Sequence, residues 1–229
     1  MNSIEHNIGI MNETSLHADL KSFYALPGDQ LEQPVEGYLV DIVRDEQLIE
    51  IQTKNFSAMK SKLNALLDHY FIRLVHPIAY ERWIVRVSKD NQLISRRKSP
   101  KRGYLEELFK ELVRIPKLAG HPHLSIEVLM TQEEVVWRDD GQGSWRRKGW
   151  SVADRRLIQV LSRRLFDEAE DYAALLPTSL GESFTNRDLV EYLRIKPRVA
   201  GQMTNCLRKM SLIKKIGDRD RYILYQKIE

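Results

Sequence analysis

Two carboxylates and two further polar side chains stand out in YLVDIVRDEQLIEIQTK, residues 38–54. Apolar residues alternate at a period of two on either side of Arg44–Gln47, the pattern of a β-hairpin. Whether its loop is the pair Asp45 and Glu46 or the four residues 44–47, symmetric pairing sets Val43 opposite Leu48 and Asp41 opposite Glu50. Like charges facing each other across an antiparallel pair, with Cβ atoms roughly 5 Å apart, destabilise a sheet unless something positive lies between them. A divalent cation meets that requirement. The same period carried onward adds Gln52 and Lys54 to the face, giving a metal-ligand pair, an amide and a cation in a row. Mg²⁺ takes hard oxygens, commonly one or two carboxylates with phosphate and water, and a nearby lysine steadies an attacking water or a phosphorane's charge. Acids on an exposed hairpin face are otherwise merely solvated. Here Val40, Ile42, Ile49 and Ile51 on the opposite face, with Leu39, Val43 and Leu48 beside the acids, predict that both faces are largely buried, where an unpaired carboxylate is costly.

The elements that must position these groups come next. Residues 1–13 are polar and expected to be loose. A helix is predicted from Ser15 to Ala25, capped by Thr14 or Ser15, with Leu16, Leu20 and Phe23 on its apolar stripe and Pro27-Gly28 closing it. His17, Lys21 and Tyr24 share a flanking face, where His17 either reaches a metal site beside the hairpin or is simply a partly exposed helix histidine. Residues 30–37 lead into the hairpin, with room for a strand of their own. Asn55 or Ser57 can cap a second helix to about Asp68, with Met59, Leu63, Leu66 and Leu67 inward and Lys60 and Lys62 directed elsewhere. Phe71–Ala79 then reads as a buried strand stopped at Pro77, and Arg82–Ser88 as another.

This order of helix, strand, Asp41 strand, Glu50 strand, helix and strand resembles the core of the PD-(D/E)XK nuclease superfamily. That family's signature is an Asp on one strand and E-x-K on the next. The resemblance covers a quarter to a third of the chain and implies a restriction-endonuclease-like α/β fold, a central sheet flanked by helices. By it, Asp41 and Glu50 hold Mg²⁺ (or Mn²⁺), and a metal-bound water attacks a phosphodiester. Gln52 stands where the lysine is expected. Lys54, on the same face, is the substitute that the sequence offers first, and Lys60 the second. Dimers that cut both strands are common among such nucleases, so a homodimer is one option.

SRRKSPKR, residues 95–102, holds five cations, Arg96, Arg97, Lys98, Lys101 and Arg102. Such a run is ordinarily a solvated loop; beside a phosphodiester site it would supply phosphate contacts. Ser99-Pro100 then opens a predicted amphipathic helix through Ile115, and Leu124–Met130 reads as a strand whose Glu127 is either solvent-facing or a further acid. Residues 134–150 look like a hairpin turning at Asp140–Gly143, with Trp137, Trp145 and Trp150 interleaved with Arg138, Arg146, Arg147 and Lys148. Aromatics among cations suit either a nucleic-acid strand or packing under the hairpin. Ser151 and Asp154 have capping-box spacing for a helix to Phe166.

Residues 167–183 read as a linker after a domain over 14–166, and residues 184–229 as a second, small domain. There Thr185 and Asp188 make a capping box, Phe184 and Leu189 a hydrophobic staple, Lys196-Pro197 starts another helix, and LIKKIGDRDRYILYQKI alternates around Gly217–Asp220. Helix, turn, helix and β-ribbon resemble a winged helix-turn-helix. Its second helix shows Arg198, Gln202, Asn205, Arg208 and Lys209 outward, types suited to base edges and phosphates, and the wing shows Lys214, Lys215, Arg219 and Arg221. Winged helices also serve as protein-interaction modules.

The 229 residues, 42% hydrophobic, suffice for real cores, and a net charge of +4 suggests a polyanionic partner; the winged-helix resemblance implies that this partner is duplex DNA. Cys206 is the one cysteine, which excludes an internal disulfide or a cysteine zinc site and fits a reducing, cytoplasmic setting. The histidines lack metalloprotease spacing, and no apolar run approaches the roughly 18 residues of a membrane span. The expectation is a metal-dependent DNA endonuclease or DNA-processing protein. The alternative is a catalytically degenerate nuclease fold that binds DNA or regulates.

Overall fold

A computed structural model describes residues 15–228; the loose stretch expected over residues 1–13 lies outside them. The protein is mixed α/β, with a large mixed sheet flanked by helices. The described residues open with helix α1 (Ser15–Tyr24), then an antiparallel meander of β1 (Gln30–Val35), β2 (Tyr38–Arg44) and β3 (Gln47–Ile51). The β2–β3 turn is the pair Asp45 and Glu46, since Arg44 pairs with Gln47, and Asp45 takes a left-handed φ of 50°. A 3₁₀ turn and helix α2 (Lys60–Leu66) then cross over to β4 (Phe71–Val87), which lies parallel to β3. β5 (Leu93–Lys98) doubles back along β4; after the short helix α3 (Phe109–Leu112) come β6 (Leu124–Asp139), parallel to β4, and β7 (Trp150–Phe166), antiparallel to β6. The sheet order is β1-β2-β3-β4-β6-β7, with β5 beside the far half of β4.

Pro77 does not stop its strand. Val75 accepts the Gln52 N–H at 2.8 Å and so faces β3. Pro77, two residues on, faces the same edge just where β3 has ended, so the proline's missing donor has no partner to lose. The helix expected over residues 151–166 is instead strand β7. Leu161, Ile158 and Ala153 are each an extra residue against β6, and these three bulges reset the period of two, giving the apolar positions a helix-like spacing. The helix expected from Ser99 to Ile115 is a 3₁₀ turn (Leu105–Leu108) followed by α3, and the basic run 95–102 is in part the edge strand β5.

Residues 167–183 are packed rather than free. They carry α4 (Ala169–Ala173), whose Tyr172 is fully buried and stacks on Phe166 at 4.9 Å between ring centroids. Beyond them lie β8 (Ser183–Thr185), α5 (Asn186–Leu193), α6 (Pro197–Lys209), β9 (Ile213–Arg219) and β10 (Tyr222–Lys227), with a small sheet ordered β8-β10-β9. Thr185 and Asp188 form the expected capping box. One hydrophobic cluster runs from Val40 through α2, α3 and Tyr172 to α6 and Tyr225, and a second joins α1 to Ile42, Ile49, Ile51, Val75 and Leu129. Among the described residues no helix is long and apolar enough to cross a membrane.

Candidate functional site

β2 and β3 pair as far as Ile42 and Ile49, and the next pair in that register, Asp41 and Glu50, stands where the two strands part. Asp41 reaches across the fork. Its Oδ2 accepts the Ile51 N–H at 2.8 Å, a side chain taking the place of a ladder hydrogen bond. The same oxygen lies 3.3 Å from His17 Nε2 on α1. α1 is held at both ends: Ser15 Oγ donates to Asp154 Oδ2 at 2.9 Å, and Arg44, paired with Asp29, donates to the Tyr24 carbonyl at 2.9 Å. His17 is therefore fixed beside the acid, as its helix face allowed.

Glu50 is only 6% exposed. Its partner is Lys62 of α2, whose ammonium donates both to Glu50 Oε1 and to the Leu39 carbonyl. The expected direction of Lys62, away from the site, is thus wrong. Its position carried the signal: Met59, Lys62, Leu63 and Leu66 follow the spacing of a buried helix stripe, with a cation in one slot. The face projected beyond Glu50 fails because β3 ends at Ile51. Lys54 is exposed past that end, and Gln52 turns its amide to the Asn55 carbonyl at 3.2 Å while its own carbonyl meets His76 Nδ1 at 2.7 Å. Leu39, expected beside the acids, is exposed on the rim.

The two carboxyls respond oppositely. Burial drives Glu50 up to about 7, aided by the Asp41 charge, with Lys62 only partly offsetting it. Burial pushes Asp41 up as well, but the His17 contact, the Ile51 N–H and Lys21 outweigh it and hold the group below the usual carboxylate range. Glu127, read as solvent-facing or a further acid, is buried and accepts the Tyr24 hydroxyl, apart from this pair. Among the described residues no group of three or more His, Cys, Asp and Glu is gathered closely enough to hold a metal alone. Two hard-oxygen donors with an incompletely neutralised charge still fit a cation that completes its shell with water and phosphate.

The other expected contact residues fall into distinct settings. Lys98 and Arg102 pair with Glu81 and Arg96 with Glu134, whereas Arg97 and Lys101 line a cleft over the far half of the sheet. Arg198 and Gln202 of α6 line a second cleft, of about 890 Å³, together with Lys60, Lys110, Arg114 and Lys196. Asn205 is half-buried; Lys209, Lys214 and Lys215 are exposed, and Lys215 pairs with Asp218 at 3.2 Å. Arg219 is tied to Asp188.

A family described as "Domain of unknown function (DUF8091)" matches residues 14–167, the stretch holding α1, the acid pair, Lys62 and the sheet through β7. An "Uncharacterized protein" of Treponema pallidum (strain Nichols) is 31% identical over 185 residues, which covers 80% of this chain and 74% of that relative. No solved structure matches the chain. With a match across more than half of its length, the chain belongs to the DUF8091 family.

Proposed function

We propose that the chain is a Mg²⁺-dependent phosphodiesterase acting on DNA. The observation that carries this reading is the pair of carboxylates at the β2–β3 fork with a lysine brought onto Glu50 from α2. The order α1, β1, β2, β3, α2, β4, with β4 parallel to β3, is also the order that the resemblance to PD-(D/E)XK nucleases implies. Asp41 and Glu50 would hold the cation, which when bound makes a water nucleophilic at neutral pH. His17 and the Ile51 N–H keep the Asp41 carboxylate aimed into the fork. Lys62 holds a positive charge beside Glu50, where charge on the attacked phosphate would build up. The Gln52 departure thus falls at a position whose lysine function α2 can supply.

The winged-helix reading extends this. A helix, β8, α5, α6 and the β9–β10 ribbon follow the order of such domains, and Arg198 and Gln202 open onto a cationic cleft against α2 and α3. Arg198→Ala combined with Lys214→Ala is expected to weaken duplex binding severalfold and to lower the salt slope by about 1.8, at about 0.9 per phosphate contact. Anisotropy titrations over a range of salt concentrations check this; unchanged binding would make the module a protein-interaction domain.

The pH dependence follows from Glu50. Its folded-state value of about 7 lies above the ordinary 4.5, so the native state holds an extra proton between those values and this group's contribution to stability falls as pH rises through them. Metal must displace that proton below pH 7. One unit below, about a tenth of the carboxyl is ionised, so apparent Mg²⁺ affinity should be about tenfold weaker at pH 6 than on its plateau. Thermal unfolding with and without Mg²⁺ at pH 6 and pH 8 checks this. The Mg²⁺-induced rise should be larger at pH 8 and vanish in Glu50→Gln.

The direct assay incubates the protein with supercoiled plasmid, duplex and single-stranded oligonucleotides in Mg²⁺, Mn²⁺ or EDTA. Metal-dependent nicking supports the reading; binding without cutting in either metal shifts it to a degenerate, DNA-binding protein.

A further inference from the structure

The far half of the large sheet carries a second cationic surface away from the acid pair. Pairing puts Arg97, Ile84, Val135 and Arg155 in one row across β5, β4, β6 and β7. Arg82 pairs with Glu133 and Trp137 with Val152, so these lie on the same face, because directly paired residues and their i±2 neighbours share a side. The result is a cleft of about 580 Å³ whose floor is Ile84, Val135, Val152 and Trp137 and whose walls are Arg82, Arg97, Lys101 and Arg155.

Its charge is unbalanced. Glu133 lies fully buried beneath it and is taken up by Arg155 at 2.7 Å and by the Thr131 hydroxyl at 2.9 Å. Among the described residues no carboxylate meets Arg82, Arg97 or Lys101, and Arg82 Nε is buried without an acceptor. The wall that bears Lys101 is built, not loose. Ser99 N–H donates to the Arg82 carbonyl at 2.8 Å and Gly103 N–H to the Ala79 carbonyl at 3.0 Å. A Cβ at Gly103 would come within 2.5 Å of that carbonyl oxygen, so the close approach requires glycine.

We infer that this cleft binds an unpaired nucleic-acid strand, phosphates on Arg82, Arg97 and Lys101 and a base against Trp137 and its aliphatic neighbours. Cations alone would serve any polyanion. An apolar, aromatic floor between them serves only bases that are not already stacked and paired, and a volume in the range of a single small ligand takes a nucleotide or two but not a duplex. The inference names the form of substrate for the proposed phosphodiesterase and rests on that reading for its purpose, while the binding itself needs no metal.

The test is anisotropy with labelled dT12 and a matched duplex in EDTA, using the full chain and the exposed-residue variant Arg97→Ala/Lys101→Ala. For dT12 at least a tenfold loss is expected, with the salt slope smaller by about 1.4 at about 0.7 per single-strand phosphate; the duplex should change less than threefold. Trp137→Leu should weaken dT12 binding while its circular dichroism and unfolding midpoint stay close to those of the parent. Equal losses on dT12 and duplex, unchanged dT12 binding, or displacement by inorganic phosphate as effective as by dTMP would overturn the inference. Asp41→Asn is expected to bind dT12 normally in EDTA. Absence of metal-dependent nicking by the parental chain with intact dT12 binding would count against the phosphodiesterase alone, and nicking by the parental chain without dT12 binding against the cleft alone.

Discussion

Asp41→Asn and Glu50→Gln are each expected to lower metal-dependent plasmid nicking by about 10³-fold or more while the fold stays intact. A metal ion supplies several kcal/mol of stabilisation to the transition state, and each 1.36 kcal/mol is a factor of ten, so losing either ligand removes most of the rate. The fold should survive for local reasons. Asparagine keeps an oxygen to accept the Ile51 N–H that closes the fork. Glutamine at position 50 removes a buried carboxyl whose ionisation the fold already opposes, and Lys62 retains the Leu39 carbonyl. Nicking followed under single-turnover conditions, together with unfolding midpoints, checks both halves. Cleavage persisting at parental rates in both variants would remove the acid pair from the chemistry.

The second large effect belongs to Lys62. Lys62→Met keeps the length of the stem and deletes the charge, and nicking should fall by about 10²–10³, the usual cost of one preorganised donor. Lys54→Ala, on an exposed side chain beyond β3, should change it less than threefold. A second readout separates electrostatics from mere packing. Lys62 lowers the Glu50 value, so without it the carboxyl rises further and the acidic limb of the pH–rate profile moves to higher pH. Loss in Lys54→Ala with none in Lys62→Met would reverse the lysine assignment.

The contrast between these lysines shows what was legible in the sequence. The hairpin was, because its period of two is unbroken up to Ile42 and Ile49 and its turn is short. Extending that period past Ile51 was not justified, because the chain leaves the strand there for a reason carried by its neighbour: the Gln52 carbonyl meets the His76 ring instead of a strand partner. Lys62 was readable as a cation in a buried helical slot, but naming its partner required knowing how α2 returns over β3. The elements from Thr185 to Lys209 were legible because caps and staples are local chemistry. β7 was not. Its bulges answer to the register of β6, which no window of β7 contains.

The continuous core between Val40 and Tyr225 has a consequence for how the protein would work on a strand. Two domains on a flexible tether can each find their own place, and the spacing between what one grips and what the other cuts then varies from event to event. Here α6 shares its buried face with α3, and Tyr172 fastens the connecting segment to Phe166. The distance from α6 to the β2–β3 fork is set by side-chain packing, so on the proposed reading the molecule is a ruler: the bond it breaks lies at a constant offset from the bases that α6 holds.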